Sequence, residues 1–119
     1  MHGLTDQERR TLHAALVAEL QRAQDQVVSL ARQFEDIVAA AELSNTDDEH
    51  DPEGTTIAFE RSQVSALHSQ AVSDVAALER TLADLDDEDF GSCDDCGDPI
   101  GFERLVALPA ARRCVECAR

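Results

Sequence analysis

Tryptophan, tyrosine and lysine are absent from this 119-residue chain, which has one methionine and only four phenylalanines. Its hydrophobic content is an ordinary 43%, but much of that is alanine, so a large globular core is excluded. Long apolar runs are also missing, and none approaches the length needed to cross a bilayer. The polar opening from Met1 to Arg10 has no apolar leader, so a soluble cytoplasmic protein without membrane contact is expected. Positive charge is scarce. Ten arginines face 25 acidic residues, for a net charge of −15. Nucleic-acid affinity rests on cationic contacts that release counterions, so no direct sequence-specific DNA binding is expected.

Glycine and proline are missing from the whole stretch between Thr5 and Leu43. There the apolar residues Leu16, Leu20, Ala23, Val27, Leu30, Phe34, Ile37 and Ala41 recur at alternating steps of four and three, an unbroken heptad stripe. Thr5-Asp6-Gln7-Glu8 reads as a capping box at its start. The spacing predicts a helix about 58 Å long at ~1.5 Å per residue. A second stripe runs through Ile57, Val64, Leu67, Ala71, Val75, Leu78, Leu82 and Leu85, with a stutter at Ala71. Asp86 to Asp89 falls at the end of this second helix, against the usual preference for cations there, with Gly91 as a stop signal. Few apolar residues lie outside the two stripes, Leu12 and Val28 being the main ones.

Two helices joined by a short connection should fold back as an antiparallel hairpin, the alternative being independent helices or a parallel dimer of one of them. The connection from Asn45 to Gly54 is dense in acid: Asp47, Asp48, Glu49, Asp51 and Glu53. Asp51-Pro52 is also a good helix start, which gives Asp51 a structural reading of its own. A solvated acidic loop is the ordinary meaning of such a run, and the EF-hand spacing is absent. His2, His13 and His68 show no ligand spacing and read as surface or tail, and His50 sits among the acids of the connection.

All four cysteines fall near the C-terminus, as Cys93-x2-Cys96 and Cys114-x2-Cys117 with seventeen residues between the pairs. Each Cys-x-x-Cys step lets two thiolates face one ion from a tight turn, and the spacing lies within the zinc-ribbon range. One structural Zn2+ held by Cys93, Cys96, Cys114 and Cys117 is therefore expected. Two disulfides are the alternative, disfavoured by the absence of a secretory leader. Gly97 can supply the positive φ that a knuckle needs, and Ile100, Leu105 and Leu108 can form a small core on the ion. Four thiolate ligands leave no open position for a catalytic water, and no nucleophile–base pair is evident, so an enzyme is not expected. These observations give a mainly α fold: a long antiparallel coiled-coil hairpin over 1–90, its acidic tip at about 44–54, and a four-cysteine zinc finger over 91–119.

The zinc segment carries more than its cysteines. Cys93, Cys96, Gly97, Ile100, Arg104, Leu105, Ala107, Pro109, Cys114 and Cys117, preceded by Glu88-Asp89-Phe90-Gly91, closely resemble the DksA/TraR family of C4-type zinc-finger proteins. The match covers about residues 86–117. The resemblance implies a monomeric bacterial transcription regulator that binds RNA polymerase and inserts its coiled-coil tip through the secondary channel toward the active site. In such proteins an Asp-x-x-Asp-x-Ala tip motif carries much of the activity. An ungapped count from Phe90 puts His50, Glu53 and Thr55 on its fixed positions, whereas a one-residue slip pairs Asp48 with Asp51 and puts Glu53 in the alanine position. The candidate tip residues are thus Asp48, Asp51, Glu53 and Thr55, and both registers depart from the pattern. The chain ends two residues after Cys117 and begins almost directly with helix 1, without the longer ends of larger members, so no ppGpp site is expected. A redox-responsive zinc module and a coiled-coil adaptor are the alternative functions.

Overall fold

A computed structural model describes residues 3–44 and 52–119. Four helices account for its regular structure: α1 (Asp6–Ser44), α2 (Pro52–Asp84), α3 (Phe102–Ala107) and α4 (Val115–Ala118). Among the described residues the only β pairing is an isolated antiparallel bridge between Ser92 and Pro99. Helix α1 starts at the expected capping box. The Thr5 amide donates to Glu8 Oε1 and the Glu8 amide to Thr5 Oγ1, each at 3.0 Å. Two otherwise orphaned donors are satisfied, which sets where the helix begins.

The chain forms two compact units, one of Met1–Gln21 with Val75–Arg119 and one of Arg22–Asp74. In the second, Leu30, Val64 and Ala71 form a buried cluster with Val27, Phe34 and Ile37 packed against it. Each of these belongs to a heptad stripe. Leu67, on the same α2 stripe, is 50% exposed. It lies three residues after Val64, about 60° round an ideal helix, and the seam follows Val64 and Ala71 instead. Phe59 also stands clear of the core, 70% exposed.

In the first unit Leu12 and Leu16 of α1 are buried, as are Leu78 and Thr81 near the end of α2 and Leu85 just beyond it. Leu12 is therefore a core residue, contrary to its place among the apolar residues outside the stripes. It sits four residues before Leu16, which extends the α1 seam by one turn. Val28 is exposed, as expected. Thr81 is a hydroxyl in an apolar place, and its Oγ1 donates to the Ala77 carbonyl at 2.9 Å. That bond satisfies the donor without a partner from another element.

Helix α2 ends at Asp84, so Asp86 to Asp89 lie beyond it rather than in its last turn. They occupy a succession of turns in which the Asp87 amide donates to Asp84, Phe90 to Asp87 and Ser92 to Asp89. The cation that the helix end favours comes from α1. The Arg9 guanidinium donates to the Leu85 carbonyl and, at 3.4 Å, to that of Asp87. An arginine from the start of α1 meeting the end of α2 is the antiparallel arrangement of the hairpin, seen within one unit.

Candidate metal centre

Two turns bring the cysteines together. In the first, the Gly97 amide donates to the Cys93 carbonyl at 3.0 Å, with Gly97 at φ +79°. A side chain there would be strained, which is why glycine follows the second cysteine. The Asp95 amide points at Cys93 Sγ, 3.4 Å away. In the second turn, the Ala118 amide donates to the Cys114 carbonyl at 3.0 Å, closing the single turn of α4. The knuckles are tied by Asp94, whose amide donates to the Arg112 carbonyl at 2.8 Å.

The segment between the knuckles packs beneath them. Leu105 of α3 and Ile100 are buried, while Leu108, expected in the same small core, is 52% exposed. Leu108 terminates α3, with φ −132° and ψ +79°, and its amide donates back to the Arg104 carbonyl. Its side chain therefore leaves the helical face that Leu105 occupies. Gly91, at φ +96°, is flanked by the Leu4 and Leu105 side chains, which stand 3.7 and 3.9 Å from where a β-carbon would be. The Ile100 amide donates to the Gly91 carbonyl at 2.7 Å.

The four sulfurs of Cys93, Cys96, Cys114 and Cys117 all lie within 4.8 Å of one another. Cys96 and Cys114 are 3.7 Å apart, and all four thiols are free. A regular tetrahedron with Zn–S bonds of ~2.3 Å has edges of about 3.8 Å, so the set has the dimensions of a four-thiolate zinc site. The electrostatics agree. Cys93 is lowered to about 6, first by the Cys96 backbone amide and further by those of Cys114 and Asp95. Cys117 is pushed far up, chiefly by the Cys96 side chain and then by those of Cys114 and Cys93. One thiolate forms readily while Cys96 and Cys117 resist ionising, so a dication is what would hold all four as thiolates together. The site's donor chemistry fits a structural zinc ion.

Residues 88–119 match the family model for the prokaryotic dksA/traR C4-type zinc finger. The finger is thus of the DksA/TraR C4 type. Over 43 residues the chain is 46% identical to the RNA polymerase-binding transcription factor DksA of Escherichia coli, and over 40 residues 52% identical to that of Haemophilus influenzae. These alignments cover 36% and 34% of this chain and 28% of each relative, so the chain spans under a third of the curated relatives it matches. Similarity of fold extends much further. A solved structure of transcription factor DksA2 from Pseudomonas aeruginosa aligns over 95% of this chain and 81% of its own, with a TM-score of 0.76 at 21% identity. The resemblance expected from the motif thus holds by sequence for the finger, and beyond it the structural likeness is one of fold.

Several residues that build this end of the molecule carried no local signal. Arg112 bonds Asp84 at 2.8 Å across 28 positions, and Arg9 reaches carbonyls 76 and 78 positions away. Each reads as an ordinary surface arginine until the fold brings its partner near. Arg104 Nε donates to the Arg113 carbonyl at 3.0 Å, bracing the second knuckle from α3. Of the candidate tip residues, Asp48 and Asp51 lie outside the described residues, as does the side chain of Glu53. Thr55 is exposed in the first turn of α2. His13 is exposed and His68 half-buried, neither near the cysteines in sequence, and His2 and His50 lie outside the described residues. No described helix is long and apolar enough to cross a membrane.

Proposed function

We propose that this protein is a non-enzymatic cytoplasmic transcription regulator that binds bacterial RNA polymerase, entering its secondary channel with the acidic end of the hairpin. The observation that carries the reading is the pairing of a DksA/TraR finger with a hairpin that follows the DksA2 fold over 95% of the chain. Cys93, Cys96, Cys114 and Cys117 hold one zinc ion, whose part is to close the C-terminal module rather than to react. The domains act as 1–90 and 91–119, the hairpin reaching the polymerase and the finger holding the hairpin's base. Asp48, Asp51, Glu53 and Thr55 act at the polymerase active site, where carboxylates can influence the bound Mg2+. The strong negative charge of the chain supports a protein partner over DNA.

The test is a pull-down with purified core polymerase followed by site-specific crosslinking from position 53. Adducts near the channel, together with altered transcription from purified promoters, are expected. Retention of the protein without any adduct near the channel would sink the insertion mode. Replacing Asp51 and Glu53 with alanine should remove the transcriptional effect and leave binding measurable.

A further inference from the structure

Opposite the packed seam, α2 carries a second regular row. Thr55, Phe59, Ser62, Ala66, Ser69 and Ser73 follow at steps of four, three, four, three and four, and all are exposed. None is charged, in a chain of which 29% is charged. Phe59 is the large member of the row at 70% exposure. The row does not end on a flat surface. Ser62, Ala66 and Ser69 also line a groove of about 420 Å3 walled by Phe34, Arg61 and Ser65. Beyond Phe34 and Ser65 it adjoins a second groove of about 300 Å3, bordered by Ala31, Glu35 and His68. An exposed aromatic, a lane of small side chains and a recess beside it match the knob-and-hole surface that an α-helix offers a second helix. From Phe59 to Ser73 the row spans about 21 Å at ~1.5 Å per residue, four turns of a partner.

Charge selects among occupants. Residues 22–74, which contain the row, carry eleven acidic residues against three arginines. Nucleic acid and anionic lipid surfaces are repelled by that field, and so is a second copy of a chain with net charge −15. We infer that the outer face of α2 from Phe59 to Ser73 docks a helix of the protein partner that is rich in lysine or arginine, Phe59 and the Phe34 groove receiving its apolar side chains. The inference rests on the polymerase reading for the choice of probe, and it places a docking face along the side of α2, apart from the acidic connection.

The experiment measures affinity for core bacterial RNA polymerase with fluorescently labelled full-length protein at several salt concentrations. Ala66→Arg and Ser69→Arg put bulk and like charge on the row, and Gln26→Arg makes a neutral-to-positive change at an exposed α1 position away from it. The two row variants should each bind about tenfold more weakly, Gln26→Arg within about twofold of the native chain, with far-UV circular dichroism unchanged in all three. Binding should weaken as salt rises. Native-like binding by both row variants would overturn the docking face while leaving the polymerase reading intact. No binding by the native chain would remove both. A homodimer that Ala66→Arg dissolves would give the face to a second copy and equally overturn the proposal.

Discussion

Two leucines on the heptad stripes, in the same compact unit, should respond very differently to the same change. Leu30 is 3% exposed in the cluster with Val64 and Ala71, whereas Leu67 is 50% exposed. Truncation to alanine removes three carbons, each contributing about 0.8 kcal/mol when fully buried. Leu30→Ala therefore loses about 2.4 kcal/mol of transfer energy. The cavity left beside Val27, Phe34 and Ile37 brings the total to about 3–4 kcal/mol. At Leu67 about half the transfer term applies and no enclosed cavity forms, so the loss is about 1.2 kcal/mol. Against a typical total of roughly 5–15 kcal/mol, the first change is large and the second minor. Urea unfolding of native and variant zinc-loaded protein, followed by far-UV circular dichroism, measures both. Equal losses, or a larger loss at Leu67, would refute the assignment of the seam.

The remaining expectations concern the metal centre and its attachment. Purified protein should contain one zinc per chain, and Cys114→Ser should lower that content and weaken the fold of the finger, read by metal analysis and thermal unfolding. Zinc affinity should fall with acidification, because the ligands bind as thiolates, and the fall should steepen below about pH 6, where Cys93 is also protonated in the metal-free protein. The sign for the metal-free fold is the same. Lowering Cys93 from 9.0 to about 6 adds stability that is fully present above 9.0 and lost as pH falls through about 6. Gly91→Ala should destabilise by about 1–2 kcal/mol through its positive φ, since the nearest side-chain contact, at 3.7 Å, leaves room for a methyl group. Asp84→Asn should cost less than about 1 kcal/mol, because its bond to Arg112 joins side chains 41% and 40% exposed.

Much of the molecule was legible in the chain because its determinants are local and periodic. The capping box needed only four residues, and the structure forms both of its hydrogen bonds. The cysteine spacing, with Gly97 behind the first pair, describes a zinc knuckle, and the four sulfurs converge accordingly. Local pattern was less informative where one element's surroundings decide the outcome. Leu67 and Leu108 read as core and are exposed, while Leu12 read as surface and is buried. The acidic run from Asp86 seemed to sit in a helix end, but α2 stops at Asp84 and Arg9 supplies the cation from α1.

The sequence by itself determined the helical class, the start of α1 and the two cysteine pairs of a zinc finger. Those follow from residue type and near spacing, which survive without knowledge of neighbours. Only the tertiary structure decided which leucines of each stripe reach the seam, how Arg9 and Arg112 tie the end of α2 within the metal-bearing unit, and that α2 keeps an uncharged outer row. Burial and long-range pairing are properties of two surfaces at once, and one strip of sequence describes only one of them.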